Sequence, residues 1–200
     1  MTDHYFSRQP EVASAPKHWN TELRGIQLRF KTDQGVFSKK EVDFGSRLLI
    51  ETFEAMTISG PLLDVGCGYG PIGLVLAKLF PDRLIHMIDI NERAVELAKV
   101  NAESNHISNV DIYESDRFEN VKESHFAAIL TNPPIRAGKK VVHQIFENSF
   151  RYLGHGGELW VVIQKKQGAP SAKAKLEELF AQVDVVAHKK GYYILRAIKD

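Results

Sequence analysis

Cysteine is nearly absent: Cys67 is the only one in 200 residues, which excludes an intrachain disulfide and fits a reducing compartment. An excess of one charge is missing too. The formal net charge is +1, with 26 Lys and Arg against 25 Asp and Glu, so no global basic field announces a nucleic-acid partner, and an RNA would have to be held by local patches. No run approaches the roughly 18 apolar residues of a membrane span, and the segment from Met1 to Arg8 lacks the apolar stretch of a secretory signal. These absences predict a soluble cytoplasmic protein with no membrane contact. No metal site is expected, and the chain is expected to act as a monomer or homodimer. What remains is ample for one core, at 44% hydrophobic content over about one domain's length.

The chain is organised around one stretch, Leu62-Leu63-Asp64-Val65-Gly66-Cys67-Gly68-Tyr69-Gly70-Pro71-Ile72-Gly73. An apolar run ends in an acid and then in alternate glycines, and a helical apolar pattern (Ile72, Leu74, Val75, Leu76, Leu79) begins at once, which predicts a buried strand, a tight loop and a helix. Glycines let such a loop take positive φ and approach a ligand, and the helix start leaves free N–H groups facing it. The dinucleotide fingerprint is G-x-G-x-x-G, whereas the order here is D-x-G-x-G-x-G, which argues against a nicotinamide cofactor. An acid two places before the first glycine suits a ligand with a positive amino group. Cys67 stands where a nucleophile could be imagined, but no base lies at a telling spacing.

Around this stretch the chain reads in order. Residues 1 to about 20 have Pro10 and Pro16 and no clean periodicity, and read as a flexible arm. Alternation through Leu23, Ile26, Leu28 and Phe30 predicts a small hairpin around Gly25. Gly35 to Ser38 reads as a turn, and Phe44, Leu48, Leu49 and Phe53 follow at helical spacing. After the glycine loop, helices are predicted over 72–80, 92–104, about 140–152 and about 171–181, and strands over 84–90, 110–115, 126–131, 158–163, 183–188 and 192–198. The strand and helix alternation implies a doubly wound α/β fold with a mostly parallel seven-stranded sheet covered on both faces. The last connection, Lys189-Lys190-Gly191, is too short for a crossover, so the last strand must be antiparallel. Residues 1–58 are expected to form an N-terminal extension of arm, hairpin and helix packed on the core, and residues 59–200 the ligand-binding domain.

Ligands in such sheets sit beyond the carboxyl ends of the strands. Asp89 ends the second core strand about 20 positions past the glycine loop, where a carboxylate can accept from both ribose hydroxyls; with Asn91 it also reads as helix-capping chemistry, and the two roles are compatible. Ser115-Asp116-Arg117 follows the third, with ordinary turn chemistry as the bland alternative. The fourth ends in Asn132-Pro133-Pro134-Ile135. Asn132 and the Pro133 carbonyl offer two acceptor oxygens on a loop that the prolines stiffen. Two acceptors can bind both hydrogens of a planar amino group and draw its nitrogen lone pair out of conjugation, so catalysis would rest on positioning and electrostatic complementarity.

The DVGCGYG loop resembles motif I of the class I S-adenosylmethionine (AdoMet) methyltransferases, and the strand order with its terminal antiparallel pair is similar to their Rossmann-like fold. That resemblance implies AdoMet held by Asp64, Gly66, Cys67, Gly68 and Gly70, with Asp89 and Ile90 at the ribose and Asp116, Arg117 and Asn132 along the rest of the cofactor. Asp116 resembles the motif III acid that takes the adenine amino group. NPPI resembles the (N/D)PP(Y/F/W/I) motif of enzymes that methylate exocyclic amino groups of bases or the side-chain amide of release-factor glutamines. Its fourth place is commonly aromatic and stacks on a flipped base, so Ile135 leaves that partner open, with Tyr69, Phe37 or the arm as replacements. Gly35-Val36-Phe37-Ser38, Asp43-Phe44-Gly45-Ser46 and residues 132–138 together resemble the catalytic domain of small-subunit ribosomal RNA guanine-N2 methyltransferases, as a single-domain relative. The implied partner is ribosomal RNA or the small ribosomal subunit, with Phe37, Arg136, Lys139 and Lys140 at the substrate. For Lys165-Lys166 and Lys189-Lys190 a solvated face is the expected reading. A protein-glutamine methyltransferase and a non-catalytic AdoMet-binding RNA assembly factor are the alternatives.

Overall fold

The computed structural model describes residues 8–9, 12–38, 40–54 and 57–200. A hairpin of β1 (Lys17–Leu23) and β2 (Ile26–Thr32) turns at Arg24-Gly25 and leads through a loop to helix α1 (Phe44–Thr52). The core then runs β3 (Leu62–Val65), α2 (Pro71–Leu79), β4 (Ile85–Asp89), α3 (Glu92–Ser104), β5 (Val110–Glu114), β6 (Phe126–Thr131), α4 (Lys139–Tyr152), β7 (Leu153–Gln164), α5 (Ala169–Leu179), β8 (Gln182–Lys189) and β9 (Tyr192–Ile198). Its seven strands pair in the order β5-β4-β3-β6-β7-β9-β8, parallel except for β9, which is antiparallel to both neighbours. This is the doubly wound α/β sheet that the strand and helix alternation predicts. The chain winds outward from β3 to β5 and returns to β6 on β3's other side, so the switch point lies between β3 and β6. A crevice opens there at the carboxyl ends.

Strand sequences carry the expected burial. β3 and β6 are buried along their whole length, as befits central parallel strands covered on both faces. One apolar cluster unites Leu23, Leu28 and Phe30 of the hairpin and Leu49 and Phe53 of the α1 region with Leu74 of α2 and Leu97 of α3. The hairpin is therefore bound to the same core. Asn101 of α3 and Asn105, its C-cap, secure it further: their side-chain oxygens accept from the Lys31 and Arg29 amides at 2.7 and 2.9 Å, and their nitrogens return bonds to the carbonyls of the same residues.

Three boundaries differ from the periodicity. β1 begins at Lys17, six residues ahead of the alternation that starts at Leu23, because Trp19 packs on Phe30 at 5.2 Å and donates its Nε1–H to Thr32 Oγ1. The arm expected over the first 20 residues is thus partly strand, and Ser14 and Ala15 both donate to the Asp33 carboxylate. Residues 1–7, 10 and 11 lie outside the described ones. β7 begins at Leu153, directly after α4 and five residues before its apolar alternation becomes regular. Gly154, Gly156 and Gly157 hide the strand from a pattern search, yet a side chain at Gly157 would meet the Phe126 carbonyl at 2.8 Å. Helix α5 begins two residues early, with Gly168 at φ 106° as its N-cap and Pro170 in its first turn.

Candidate active site

The crevice at the switch point is a cavity of about 380 Å³ walled by the ends of β3, β4 and β6, by the 115–117 turn and by the loop before α1. Of the residues singled out from the sequence, it brings together Gly66, Cys67, Gly68, Asp89, Ile90, Asp116, Arg117, Asn132, Pro133, Pro134 and Phe37. Gly66 and Gly68 stand at φ 75° and 56°, and a Cβ on either would project into open space, so the loop leaves a cradle against the cavity.

Asp64, Gly70, Ile135, Arg136, Lys139 and Lys140 are not on the cavity wall. Asp64 is wholly buried beneath the loop, where Oδ2 accepts the Gly73 amide at 2.9 Å and Oδ1 has no protein partner. Gly70 caps α2 at φ 102°, and a Cβ there would meet Leu74 and Met87; its conformation is needed for the loop, not for a surface. Ile135 opens a short 3-10 turn and faces the α4 and α5 side, lining a second groove. Arg136, Lys139 and Lys140 are exposed outside the mouth. Tyr69, considered as a stacking partner, is buried edge-on against Phe30 and Trp19, whereas Phe37 is 45% exposed at the cavity.

Two acids set the electrostatics. Burial pushes the Asp64 carboxyl up to about 7, helped by the Asp89 charge and opposed by the Gly73 amide. Burial likewise raises Asp89 to about 6, against amides that favour its charged form: Gly68 N–H donates to Oδ2 and Asn91 N–H to Oδ1, both at 2.8 Å. Asp89 thus ties the glycine loop to the start of α3, whose N-cap is Asn91, so the capping and ligand readings do coexist. Asp116 is held by its neighbour Arg117 in a bidentate pair at 2.8 and 2.8 Å, and Arg117 also donates to Gln144. The Cys67 thiol is raised well above its ordinary value by burial and by the charges of Asp89 and Asp64, and its Sγ lies against the Gly68 carbonyl at 3.5 Å. It stays protonated and is no nucleophile.

The fourth corner is Asn132. Its Nδ2 donates to Asp43 Oδ1 at 3.2 Å and to Ser46 Oγ at 3.0 Å. A carboxylate only accepts, so the amide nitrogen must face Asp43, and the amide oxygen must face the other way. Neither that oxygen nor the Pro133 carbonyl accepts a hydrogen bond among the described residues. Asp43 is also the N-cap of α1, its Oδ1 accepting the Ser46 amide at 3.1 Å. Asp43 and Ser46 belong to the Asp43-Phe44-Gly45-Ser46 stretch that carries the family resemblance, which by itself assigns them no role; here they orient Asn132, and an Asp three places before a Ser at the start of an apolar helix is also a helix-capping signal.

A positively charged ligand suits this cavity. It would meet the half-buried carboxylate of Asp89 on the cavity wall and lie over buried Asp64, whose Oδ1 has no protein partner beneath the glycine cradle, and a cation favours the ionised form of both. Fold and site together define an AdoMet-dependent methyltransferase. The methyltransferase small domain family model matches residues 27–196, and the chain belongs to that family. It is 64% identical over the full length of both chains to the uncharacterised protein YbxB of Bacillus subtilis. It is 32% identical over 187 residues to ribosomal RNA small subunit methyltransferase C of Vibrio cholerae, covering 92% of this chain and 53% of that one. The chain therefore spans about half the length of these named methyltransferases. Among solved structures, the T. thermophilus 16S rRNA N2 methyltransferase RsmC in complex with AdoMet and guanosine superposes with a TM-score of 0.83. The match is at 25% identity over 96% of this chain and 52% of that one. No helix among the described residues is long and apolar enough to cross a membrane.

Proposed function

We propose that this enzyme transfers a methyl group from AdoMet to the exocyclic N2 of a guanine in small-subunit ribosomal RNA. The observation that carries the reading is the orientation of Asn132: Asp43 and Ser46 consume its donors and leave an acceptor oxygen beside the free carbonyl of Pro133. A guanine N2 has two hydrogens and a lone pair delocalised into the ring. Accepting both hydrogens orients the amino group and returns electron density to nitrogen. The relatives that are named as ribosomal RNA methyltransferases, and the neighbour solved with guanosine, support the acceptor class.

AdoMet, when bound, supplies a methyl group activated by the adjacent sulfonium. The chain's own residues do the rest. Gly66 and Gly68 let the backbone close on the cofactor, Asp64 and Asp89 balance its positive charge and ribose, and Asp116 with Arg117 borders its far end. Asn132 and Pro133 would align the amino nitrogen, and Phe37, a partly exposed aromatic side chain on the cavity wall, would cover a base turned out of its stack. The proton released from nitrogen leaves to solvent.

The test is transfer from labelled AdoMet to ribosomal RNA and to small ribosomal subunits from cells lacking this gene, with nucleoside analysis of the product. Label in N2-methylguanosine is expected; label on a protein instead would replace this reading with the glutamine one. Asn132→Ala should lower transfer by at least about 100-fold, the scale of removing one preorganised polar group from the reacting centre, with AdoMet affinity unchanged. An active Asn132→Ala enzyme would remove the mechanism.

A further inference from the structure

The lysine pairs that read one at a time as solvated faces come together at the carboxyl edge of the sheet, the edge at which the active site opens. Gln164, the end of β7, pairs with Tyr192, the start of β9, and the Lys165 amide donates to the Gly191 carbonyl at 2.8 Å. The Lys189-Lys190 turn therefore lies against the short 3-10 turn of Lys165–Gln167. Both sit at the carboxyl edge of the sheet, beside the end of β6 that carries Asn132. On one flank the Lys190 ammonium lies 4.8 Å over the ring of Phe44, the residue after Asp43. On the other, a groove of about 190 Å³ runs from Lys139, Ile135 and His143 to Gln167 and Gly168. His143 on that groove is held below its ordinary pKa by burial first and then by the charges of Lys139 and Lys175, with Glu147 and Glu178 opposing them.

These lysines are also unneutralised. On the nearby α5, Lys173 pairs with Glu177, and Lys175 with Glu147 at 2.9 Å. Among the described residues, Lys165, Lys166, Lys189 and Lys190 form no ion pair, nor do Arg136, Lys139 and Lys140. A chain of net charge +1 thus carries seven cations without an ion pair along this edge of the sheet, where a polyanion supplies the counter-charge. Resting on the RNA reading above, we propose that Lys165, Lys166, Lys189 and Lys190 form a phosphate-binding rim for the RNA strand that flanks the target guanine. The groove beside Ile135 is the path along which that strand leaves the catalytic cavity.

The experiment compares the full chain with K165Q/K166Q/K189Q/K190Q, which removes charge and keeps the side-chain stems. AdoMet affinity and melting temperature should be unchanged, while KM for ribosomal RNA rises about tenfold or more. The slope of log affinity against log salt should shrink by about 0.7 for each single-strand phosphate that the variant no longer neutralises. Unchanged RNA affinity and salt slope in the variant, with the parent chain active on RNA, overturn the rim and leave the acceptor reading standing. A parent chain that transfers no methyl group to RNA overturns both, and weakened capture of a methylated protein in the variant would reassign the rim to that partner.

Discussion

Asp43 does two jobs through one oxygen, and its replacement can separate them. Oδ1 accepts the Ser46 amide as the N-cap of α1 and accepts Asn132 Nδ2. Asp43→Ala removes both bonds. Loss of an N-cap costs about 1 kcal/mol, which for a chain of this size lowers the melting temperature by about 2 to 4 °C. The second loss leaves Asn132 beside Ser46 Oγ alone, 3.0 Å away. A hydroxyl either donates or accepts, so it no longer dictates which end of the amide faces the cavity. A flipped amide would present donors to a substrate nitrogen that needs acceptors, and misplacement of that kind costs about 100-fold in kcat. Asp43→Ser separates the effects, because serine caps a helix well but is too short to reach Asn132. Asp43→Asn can keep an acceptor oxygen in the same place. Melting scans and single-turnover transfer on the three variants should show stability lost in Ala alone, catalysis lost in Ala and Ser, and near parent behaviour in Asn. An Asp43→Ser enzyme with the parent kcat would refute the reasoning and reduce Asp43 to a helix cap.

Asp89→Ala should weaken AdoMet by about 1 to 3 kcal/mol, the scale of losing hydrogen bonds to a charged group, as read by calorimetric titration; an unchanged affinity would place the ribose elsewhere. Asp64 and Asp89, raised to about 7 and about 6, keep protons in the native chain that the unfolded chain has already released above about pH 4. Their contribution to stability therefore falls as pH rises through that window, and a bound cation that favours their ionised forms reverses the trend. The rise in melting temperature on adding AdoMet should grow from about pH 5.5 to about pH 7.5, and Asp64→Asn should flatten it.

The sheet was legible because periodicity reports burial. β3, β6 and the helices between them were readable from apolar spacing and capping residues, and the short Lys189 to Gly191 link required the antiparallel end. The glycine-rich start of β7 was not, since residues that admit a close strand have no side chain to form a pattern. At the site, positions on the glycine loop and strand ends were readable because their chemistry is local. Ile135 shows the limit: its position in NPPI placed it at the reacting group, but the 3-10 turn rotates it toward the second groove. Side-chain direction in an irregular turn depends on packing that no local pattern encodes.

The same distinction explains why the segment before the glycine loop is more than an attachment. Val36, Phe37 and Ser38 wall the cavity, the Asn91 side chain holds the Gly35 carbonyl at 2.9 Å, and Asp43 and Ser46 orient Asn132 across 86 to 89 positions of sequence. The strand that carries the acceptor oxygens and the helix cap that aims them are brought together only by the shared core of hairpin, α1 and sheet. Phe53, the C-cap of α1, packs edge-on against Trp160 of β7 at 5.2 Å, so the sheet holds in place the helix whose N-cap, Asp43, sets which way the Asn132 amide points. Core substitutions along that interface should therefore disturb methyl transfer without touching either ligand.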